Sequence, residues 1–355
     1  MENNTFNKSI LDFADELSQI GKEDVYRSLF SNALKEYFGV EYVVLTSSCT
    51  SALFLSLKNL GIGKGDEVIL PTNTYPSTIA PIVHLNAIPI LCDAVSLTEN
   101  INIDDMENNI TPKTKCIIIV HQNGYPTNMD KVQGIAQKYN IPIIEDNARS
   151  FGAKWKNNYC GTLGYSGCLS FNSLKILSAC GGGAILTSDE KLYENAKLFA
   201  GYGTDYSNKF VAPGYNFKIS ALNCLIGVEK IKMIDNILKK RESIAEKILE
   251  GLKPFSNLIL PYKLENSNPV FPTLPIQIKH NCTDIRKFLH SQNIPTHSNR
   301  AIHIEPYYKE QYFSQLKFPI AKQLCENSFC LHIDEHTNNE QIDKIIDAFH
   351  IFTQL

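Results

Sequence analysis

Between residues 41 and 146 the chain repeats one pattern, in which a short apolar segment is followed by a longer segment of helical periodicity. Five apolar segments follow this pattern: EYVVLTSS, EVILPTNT, IPILCDA, KTKCIIIVHQNG and IPIIED. Strands separated by helices do not pair as hairpins, so they lie parallel in a sheet that helices cover on both faces. The pattern predicts an α/β fold with a mostly parallel central sheet flanked by helices.

The pattern changes after Asp146. Short strands at 168–171 and 183–187 are expected to pair antiparallel around a loop, and helices are expected at 189–199 and from 220 to about 252. From Pro254 the elements become shorter, which is typical of a smaller α+β unit.

These changes predict two domains. The first is a large α/β domain over residues 1–236, which includes two N-terminal helices between residues 8 and 38. The second is a smaller C-terminal α+β domain over residues 237–355, with the boundary near the start of a long charged helix.

Composition excludes several classes of protein. The net charge of −3 argues against a nucleic-acid footprint, and no apolar run reaches the roughly 18 residues of a membrane helix. The first residues lack the basic and apolar regions of a signal peptide, so a cytoplasmic location is expected. The nine histidines show no metal-ligand spacing, so no metal site is expected.

The ten cysteines form no C-x-x-C pair, which argues against a disulfide framework in a chain of 355 residues. Six lie in or beside apolar segments, where small thiols are usually buried: Cys49, Cys92, Cys116, Cys168, Cys180 and Cys224.

The carboxyl ends of the predicted strands carry polar residues, and ligands bind at that edge of a parallel sheet. Thr50 and Ser51 begin a helix, where they could hold a phosphate or simply cap the helix. Tyr75 could stack on a planar ring or be an ordinary surface aromatic. Asp146 could be a helix cap, an ion-pair partner or a catalytic acid. Lys175 has apolar neighbours that would favour a neutral, nucleophilic amine, but most lysines lie at the surface.

A resemblance extends across these segments. The ordered motifs TSSCTSAL, GDEVILPTNTYPST, HQNGYPTNMD, IPIIEDNARSFGA, GYSGCLSFNSLKIL, GGGAILT and GYNFKIS resemble the sugar-aminotransferase (DegT/StrS-like) family of fold-type I pyridoxal phosphate-dependent enzymes. The resemblance covers roughly residues 8 to 350. It implies the fold-type I transferase architecture, with pyridoxal 5′-phosphate as the cofactor.

The resemblance also implies roles at matching positions. Lys175 would bind the cofactor aldehyde covalently and then move the proton, and Asp146 would pair with the pyridinium nitrogen. The remaining cofactor contacts would be Thr50, Ser51 and Ser170 at the phosphate, Tyr75 on the ring, and Asn216 reaching the neighbouring subunit's phosphate. Shared sites of this kind imply a homodimer.

Two positions depart from the family pattern. The family usually has D-x-x-Q, whereas Arg149 occupies the glutamine position here and would contact the ring's phenolic oxygen, the substrate or a carboxylate. Cys49 replaces the glycine of S-S-G-T and adds bulk beside the phosphate loop.

The function that the resemblance implies is amination of a nucleotide-linked keto-sugar, with L-glutamate as donor in a ping-pong cycle. Arg300 and His303 fall where the family has substrate-contacting residues, although both could be surface residues. Relatives with histidine in place of the lysine are sugar dehydratases, so Lys175 favours transamination. The alternatives are a dehydratase, a keto-cyclitol aminotransferase and a non-catalytic binding protein.

Overall fold

A computed structural model of the chain describes residues 15, 19, 21–95, 100–279 and 282–354. The first of the two predicted N-terminal helices lies largely outside these residues. The second is present as α1, Lys22–Phe38, which ends at Gly39 in the left-handed conformation.

The alternating region folds as predicted from its periodicity. Its elements are β1 (Tyr42–Thr46), α2 (Cys49–Asn59), β2 (Glu67–Pro71), α3 (Pro76–His84), β3 (Ile88–Cys92), α4 (Ile103–Asn108), β4 (Thr114–Val120), α5 (Met129–Tyr139) and β5 (Ile143–Asp146). The next elements are β6 (Lys154–Trp155), β7 (Asn158–Tyr159), β8 (Ser166–Ser170), β9 (Gly183–Thr187), α6 (Glu190–Ala200), α7 (Ala221–Lys232) and α8 (Ile234–Leu252).

Seven strands form the central sheet, in the order β1-β9-β8-β5-β4-β2-β3. Strands β8, β5, β4, β2 and β3 pair in parallel, whereas β9 pairs antiparallel with both β8 and β1. The mostly parallel sheet and the antiparallel pairing after Asp146 are therefore both confirmed.

Buried side chains alternate between the two faces of this sheet, which is why its strands are apolar throughout. In β2, Val68 and Leu70 join the cluster that includes α2, α3 and α6, whereas Ile69 joins a cluster with α4 and α5. Helix α1 packs against β1 and β9 through Phe30, Leu34 and other residues of a third cluster.

The C-terminal part has its own sheet and core. Its elements are β10 (Leu258–Ile259), β11 (Ser267–Asn268), β12 (Leu274–Ile278), α9 (Thr283–Ser291), β13 (Thr296–Ser298), α10 (Pro306–Tyr308), α11 (Pro319–Asn327), β14 (Ser328–Leu331) and α12 (Asn339–Gln354). Strands β10, β12, β14 and β13 form a sheet in that order, and its apolar face packs against α8, α9 and α12. The domain boundary between residues 236 and 237 stays a prediction.

Two expectations are wrong in detail. The predicted long helix from 220 to about 252 is two helices, α7 and α8, because the chain turns at Met233. Cys180 is exposed rather than buried; it lies in the loop before β9, where its φ is positive.

No helix in the described ranges is both long and apolar enough to cross a membrane. Within the same residues, no group of three or more His, Cys, Asp or Glu side chains could hold a metal ion.

Candidate active site

The carboxyl ends of β2, β4, β5 and β8 lie at one edge of the central sheet, because these strands run in the same direction. This edge brings together segments that are far apart in the chain. They include the start of α2, the loop after β2 and the loop after β8.

Asp146 ends β5 and is only 4% exposed. Its Oδ2 accepts a hydrogen bond from the Thr78 hydroxyl (2.8 Å), and its Oδ1 accepts one from the Ala148 N–H (3.1 Å). Burial raises the pKa of Asp146, whereas these two donors and the charge of Lys175 lower it. Since a carboxylate can accept about four hydrogen bonds, part of its capacity is open to a further donor.

Lys175 lies in a turn after β8, where its backbone N–H donates to the Asn172 backbone carbonyl oxygen (3.0 Å). Burial lowers the pKa of its amine, and the nearby Arg149 guanidinium lowers it further, while Asp146 raises it. Lys175 therefore lies within electrostatic range of both Asp146 and Arg149. Its amine is easier to deprotonate than that of an exposed lysine.

The start of α2 forms a cradle of serine hydroxyls. Ser48 caps the helix by accepting from the Ser51 N–H (3.1 Å), and the Ser51 hydroxyl lies 2.9 Å from those of both Ser47 and Ser48. Thr50 is half-buried beside them, and Ser170 is half-buried at the end of β8. The N-cap is therefore Ser48 rather than Thr50 or Ser51, which lie in the first turn of α2, and the use of this segment as a phosphate site stays a prediction.

The glycine triplet 181–183 allows the loop before β9 to approach this cradle. A Cβ on Gly183 would lie 2.5 Å from the Cys49 backbone nitrogen. Gly182 has a φ of +103°, which favours glycine. Cys49 is buried with its Sγ 3.9 Å from Asp146 Oδ1, so the bulk that replaces the family's glycine packs beside the carboxylate.

The loop after β2 contains Tyr75, which is 66% exposed. His303 lies against the same strand end, because its Nδ1 is 2.7 Å from the Thr72 hydroxyl and the Ile302 N–H donates to the Thr72 carbonyl. His303 is buried, so the surface interpretation is wrong for it. Arg300 is exposed and lies 3.8 Å from Glu305.

Arg149 follows β5 by three residues and contacts the C-terminal part. Its Nη2 donates to the Thr273 hydroxyl (2.8 Å), while its buried Nε has no hydrogen-bond partner among the described residues. Asn216 is exposed beside its bridge to Gly201, so its side chain is accessible to a second subunit.

Glu145 precedes Asp146 in β5, but its carboxylate lies on the other face. Oε1 accepts hydrogen bonds from the N–H groups of Leu163 and Gly164 (2.7 Å each), and Oε2 accepts one from the Gly161 N–H (2.8 Å). His121 Nε2 lies 2.9 Å from Oε2, and its Nδ1 accepts from the Thr127 N–H, so the imidazole donates through Nε2.

Sequence reasoning missed some residues that contribute to this edge. Thr78 lies three residues after Tyr75 in a helix start, and nothing in its sequence signals a bond to Asp146. Thr273 immediately precedes β12 and His297 lies in β13, so both come from distant parts of the chain. Asn73 was identifiable as a strand-end residue, and it is fully buried with neither side-chain amide atom paired within the described part of the chain.

The sequence and fold match known proteins over nearly their whole length. The model of the DegT/DnrJ/EryC1/StrS aminotransferase family matches residues 9–350. GDP-perosamine synthase of Escherichia coli O157:H7 is 30% identical over 94% of this chain and 92% of its own. Spore coat polysaccharide biosynthesis protein SpsC of Bacillus subtilis is 28% identical over 90% and 87%. The solved structure of an aminotransferase from Psychrobacter cryohalolentis superposes with a TM-score of 0.89 at 24% identity, over 98% of both chains.

Proposed function

The chain belongs to the DegT/DnrJ/EryC1/StrS aminotransferase family, and we propose that it aminates a nucleotide-linked keto-sugar with L-glutamate as the donor. It is a sugar aminotransferase that depends on pyridoxal 5′-phosphate, the cofactor of this family. The observation that carries the proposal is the pairing of a buried carboxylate with a half-buried amine at one sheet edge. Asp146 and Lys175 lie within range of each other's charge, although 29 positions separate them in the chain.

The residues present fit this cofactor. The open acceptor capacity of Asp146 suits a protonated ring nitrogen, and the lowered pKa of Lys175 suits an amine that bonds to an aldehyde. Bound there, the cofactor supplies an electron sink for the donor's α-carbon. The serine cradle with Thr50, Ser51 and Ser170 would hold the phosphate, and Tyr75 would cover the ring.

Lys175 is the proposed proton carrier of the reaction. Its neutral Nζ accepts the proton from the donor's α-carbon, and its ammonium form later gives a proton to the former carbonyl carbon of the sugar. The net exchange is balanced, because the donor carbon gives up its amino group and one hydrogen and gains an oxygen, while the sugar carbon does the reverse. The donor leaves as a 2-oxo acid before the sugar binds, so the cycle is ping-pong.

Other parts of the proposal concern the residues that would contact the sugar nucleotide and the pairing of two subunits. His303, fixed by Thr72, would contact the sugar nucleotide, and the exposed Arg300 would lie farther out along it. Asn216 would reach the phosphate in a partner subunit's site, so the enzyme would be a homodimer with shared sites. We also propose that it acts in the cytoplasm, in the synthesis of a polysaccharide that contains amino sugars.

The proposed reaction is tested by product mass. Purified enzyme is incubated with glutamate and each of a panel of nucleotide-linked keto-deoxyhexoses, and the products are weighed by mass spectrometry. Amination replaces the carbonyl oxygen by an amino group and one hydrogen, whereas dehydration removes one water. A product that has lost water without gaining nitrogen would make the dehydratase the correct alternative. If only a keto-cyclitol gains nitrogen, the nucleotide-sugar substrate is wrong.

A further inference from the structure

A polar cluster lies between the loop after β5 and the C-terminal sheet. We call Arg149, Thr273, Gln277 and His297 the Arg149 cluster. Gln277 lies in β12 and Thr273 immediately precedes this strand, at the alternate spacing that places both on the face of Pro275. His297 and Pro275 both pair with Cys330 of β14, which places His297 on that face too.

This face is the opposite of the apolar one. The intervening residues of β12, Leu274 and Ile276, belong to the C-terminal core. The polar face instead carries hydrogen-bonding side chains. Ser328, which pairs with Gln277 in the sheet, accepts a hydrogen bond from the Asn299 amide (2.6 Å). The contact from Arg149 Nη2 to Thr273 places this face beside the loop that follows β5 of the large sheet.

Among the described residues, Arg149 and Arg286 form no ion pair with a carboxylate, whereas the other three arginines do. Arg27, Arg241 and Arg300 each lie within 4 Å of a carboxylate. Arg149 forms no such pair in the described part of the chain, although its Nε is buried and has no partner there. The buried Oε1 of Gln277 also has no partner among these residues. A half-buried guanidinium without a counter-ion costs stability, unless a ligand supplies the negative charge.

The surrounding charges favour an anion. Burial lowers the pKa of His297 to about 4, and Arg149, His332 and Arg286 contribute in the same direction. These neighbours are all cationic or neutral, so the cluster has a positive potential even with His297 neutral.

The cluster is also held rigidly. Arg241 of α8 donates from Nη1 to the carbonyl oxygens of Phe271 (3.3 Å) and Ile333 (3.0 Å), and its other nitrogens bind Glu335. These bonds fix the segment that leads to Thr273. Thr273 in turn orients the guanidinium, so a ligand would meet a preorganised donor.

We propose that the Arg149 cluster binds the carboxylate that the amino-acid donor carries on its reacting carbon. This inference rests on the proposed function, of which it assigns one substrate contact. Arg149 lies close enough to Lys175 to lower the pKa of its amine, and Lys175 acts on the carbon to which that carboxylate is bonded. A nucleotide diphosphate is separated from the reacting carbon by the sugar ring, so its position fits the cluster less well.

The test measures the binding of maleate, a dicarboxylate without an amino group, to the cofactor-loaded enzyme by titration calorimetry. Arg149→Gln, which installs the family's glutamine, is expected to weaken maleate binding by about 10- to 100-fold, since a charge-assisted hydrogen bond is lost. Arg149→Lys is expected to lose less, because it keeps the charge without the planar fork. Thr273→Val, which frees the guanidinium, is expected to lose about threefold.

Lys287→Gln is the matched control, because it removes one positive charge from an exposed position on α9. It is expected to leave maleate affinity within about twofold of the wild type, since exposed charges are screened. Visible absorbance and melting temperature show whether each variant keeps its cofactor and fold. Equal maleate affinity in Arg149→Gln and the wild type would overturn the proposal, and so would an equal loss in Lys287→Gln.

A parallel titration with GDP and UDP separates the two kinds of anion. If Arg149→Gln weakens nucleotide binding and leaves maleate binding unchanged, the cluster is a phosphate site and the proposal is wrong. The outcome of these titrations does not depend on which sugar the enzyme aminates. If no nucleotide-linked keto-sugar is aminated, the proposed function fails, while the maleate titration still decides the carboxylate site.

Discussion

The two faces of β5 carry adjacent carboxylates in opposite situations. On one face, Glu145 accepts hydrogen bonds from three backbone N–H groups and lies against His121, so its oxygens are satisfied. On the other face, Asp146 has two N–H or O–H donors and lies near the amine of Lys175 and the guanidinium of Arg149.

The two carboxylates therefore have different roles: Glu145 stabilises the fold, whereas Asp146 is available to a ligand. A buried polar group with all its partners fixes the fold, since losing one partner leaves the others unsatisfied. A buried polar group with open capacity costs stability, and a ligand is one partner that can fill that capacity. We therefore expect the Glu145 face to control folding and the Asp146 face to control the reaction.

The largest expected effect is at Lys175. Lys175→Ala removes the amine that moves the proton, so amination is expected to fall by at least about three orders of magnitude. Mass-spectrometric turnover assays measure this loss, and treatment with borohydride should fix cofactor mass on Lys175 in the wild type only. Turnover at the wild-type rate would refute the proposed mechanism.

Asp146→Asn is expected to lower turnover by about 10²- to 10³-fold, because a neutral amide cannot stabilise a protonated ring nitrogen. The cofactor-free variant should be as stable as the wild type or slightly more so, since burial disfavours the charged carboxylate. Rate assays and thermal unfolding measure the two quantities. A variant with a lower melting temperature but the wild-type specific activity would place Asp146 with Glu145 among the structural residues.

Glu145→Gln is the reciprocal test. Its amide NH2 would face N–H donors in place of one carboxylate oxygen, so the free energy of unfolding is expected to fall by roughly 2–3 kcal/mol. Denaturant unfolding measures this loss. Glu107→Gln is the control, because the partners of Glu107 are at the surface: an ion pair with Lys138, worth at most about 1 kcal/mol, and a long hydrogen bond from the Tyr139 hydroxyl. Equal stability of the two variants would remove the contrast between the faces of β5.

Asn216→Ala tests whether the site at Asp146 needs a residue from a second subunit. Loss of one phosphate hydrogen bond is expected to weaken cofactor affinity by about tenfold, with no change in the stability of the cofactor-free chain. Equilibrium dialysis measures the affinity, and sedimentation measures the assembly. An active monomer would contradict the shared site.

The smallest effect concerns the cost of burying Lys175. Its pKa is lowered in the folded protein from the ordinary 10.5, so the unfolded chain binds more protons between the two values and stability rises with pH there. The cofactor-free Lys175→Met variant lacks this dependence. Its melting temperature is expected to exceed that of the wild type by a few degrees, with the advantage shrinking as the pH approaches 10.5. A constant difference across this range would show that Lys175 is not desolvated.

The sequence by itself determined the sheet, the order of its elements and the family. Apolar runs that alternate with amphipathic helices leave few arrangements that bury both faces of the strands. The same pattern placed Asp146 at a strand end, and the motifs around Lys175 carried the resemblance. These inferences depend on short stretches of chain, in which periodicity and motif spacing are visible.

Only the tertiary structure decided which partners those residues have. Thr78 reaches Asp146 across 68 positions, and Thr273 reaches Arg149 across 124. The break at Met233 and the exposure of Cys180 also follow from packing rather than local pattern. Burial and hydrogen-bond satisfaction depend on every neighbour in space, so the contrast between Glu145 and Asp146 becomes visible only when the chain is folded.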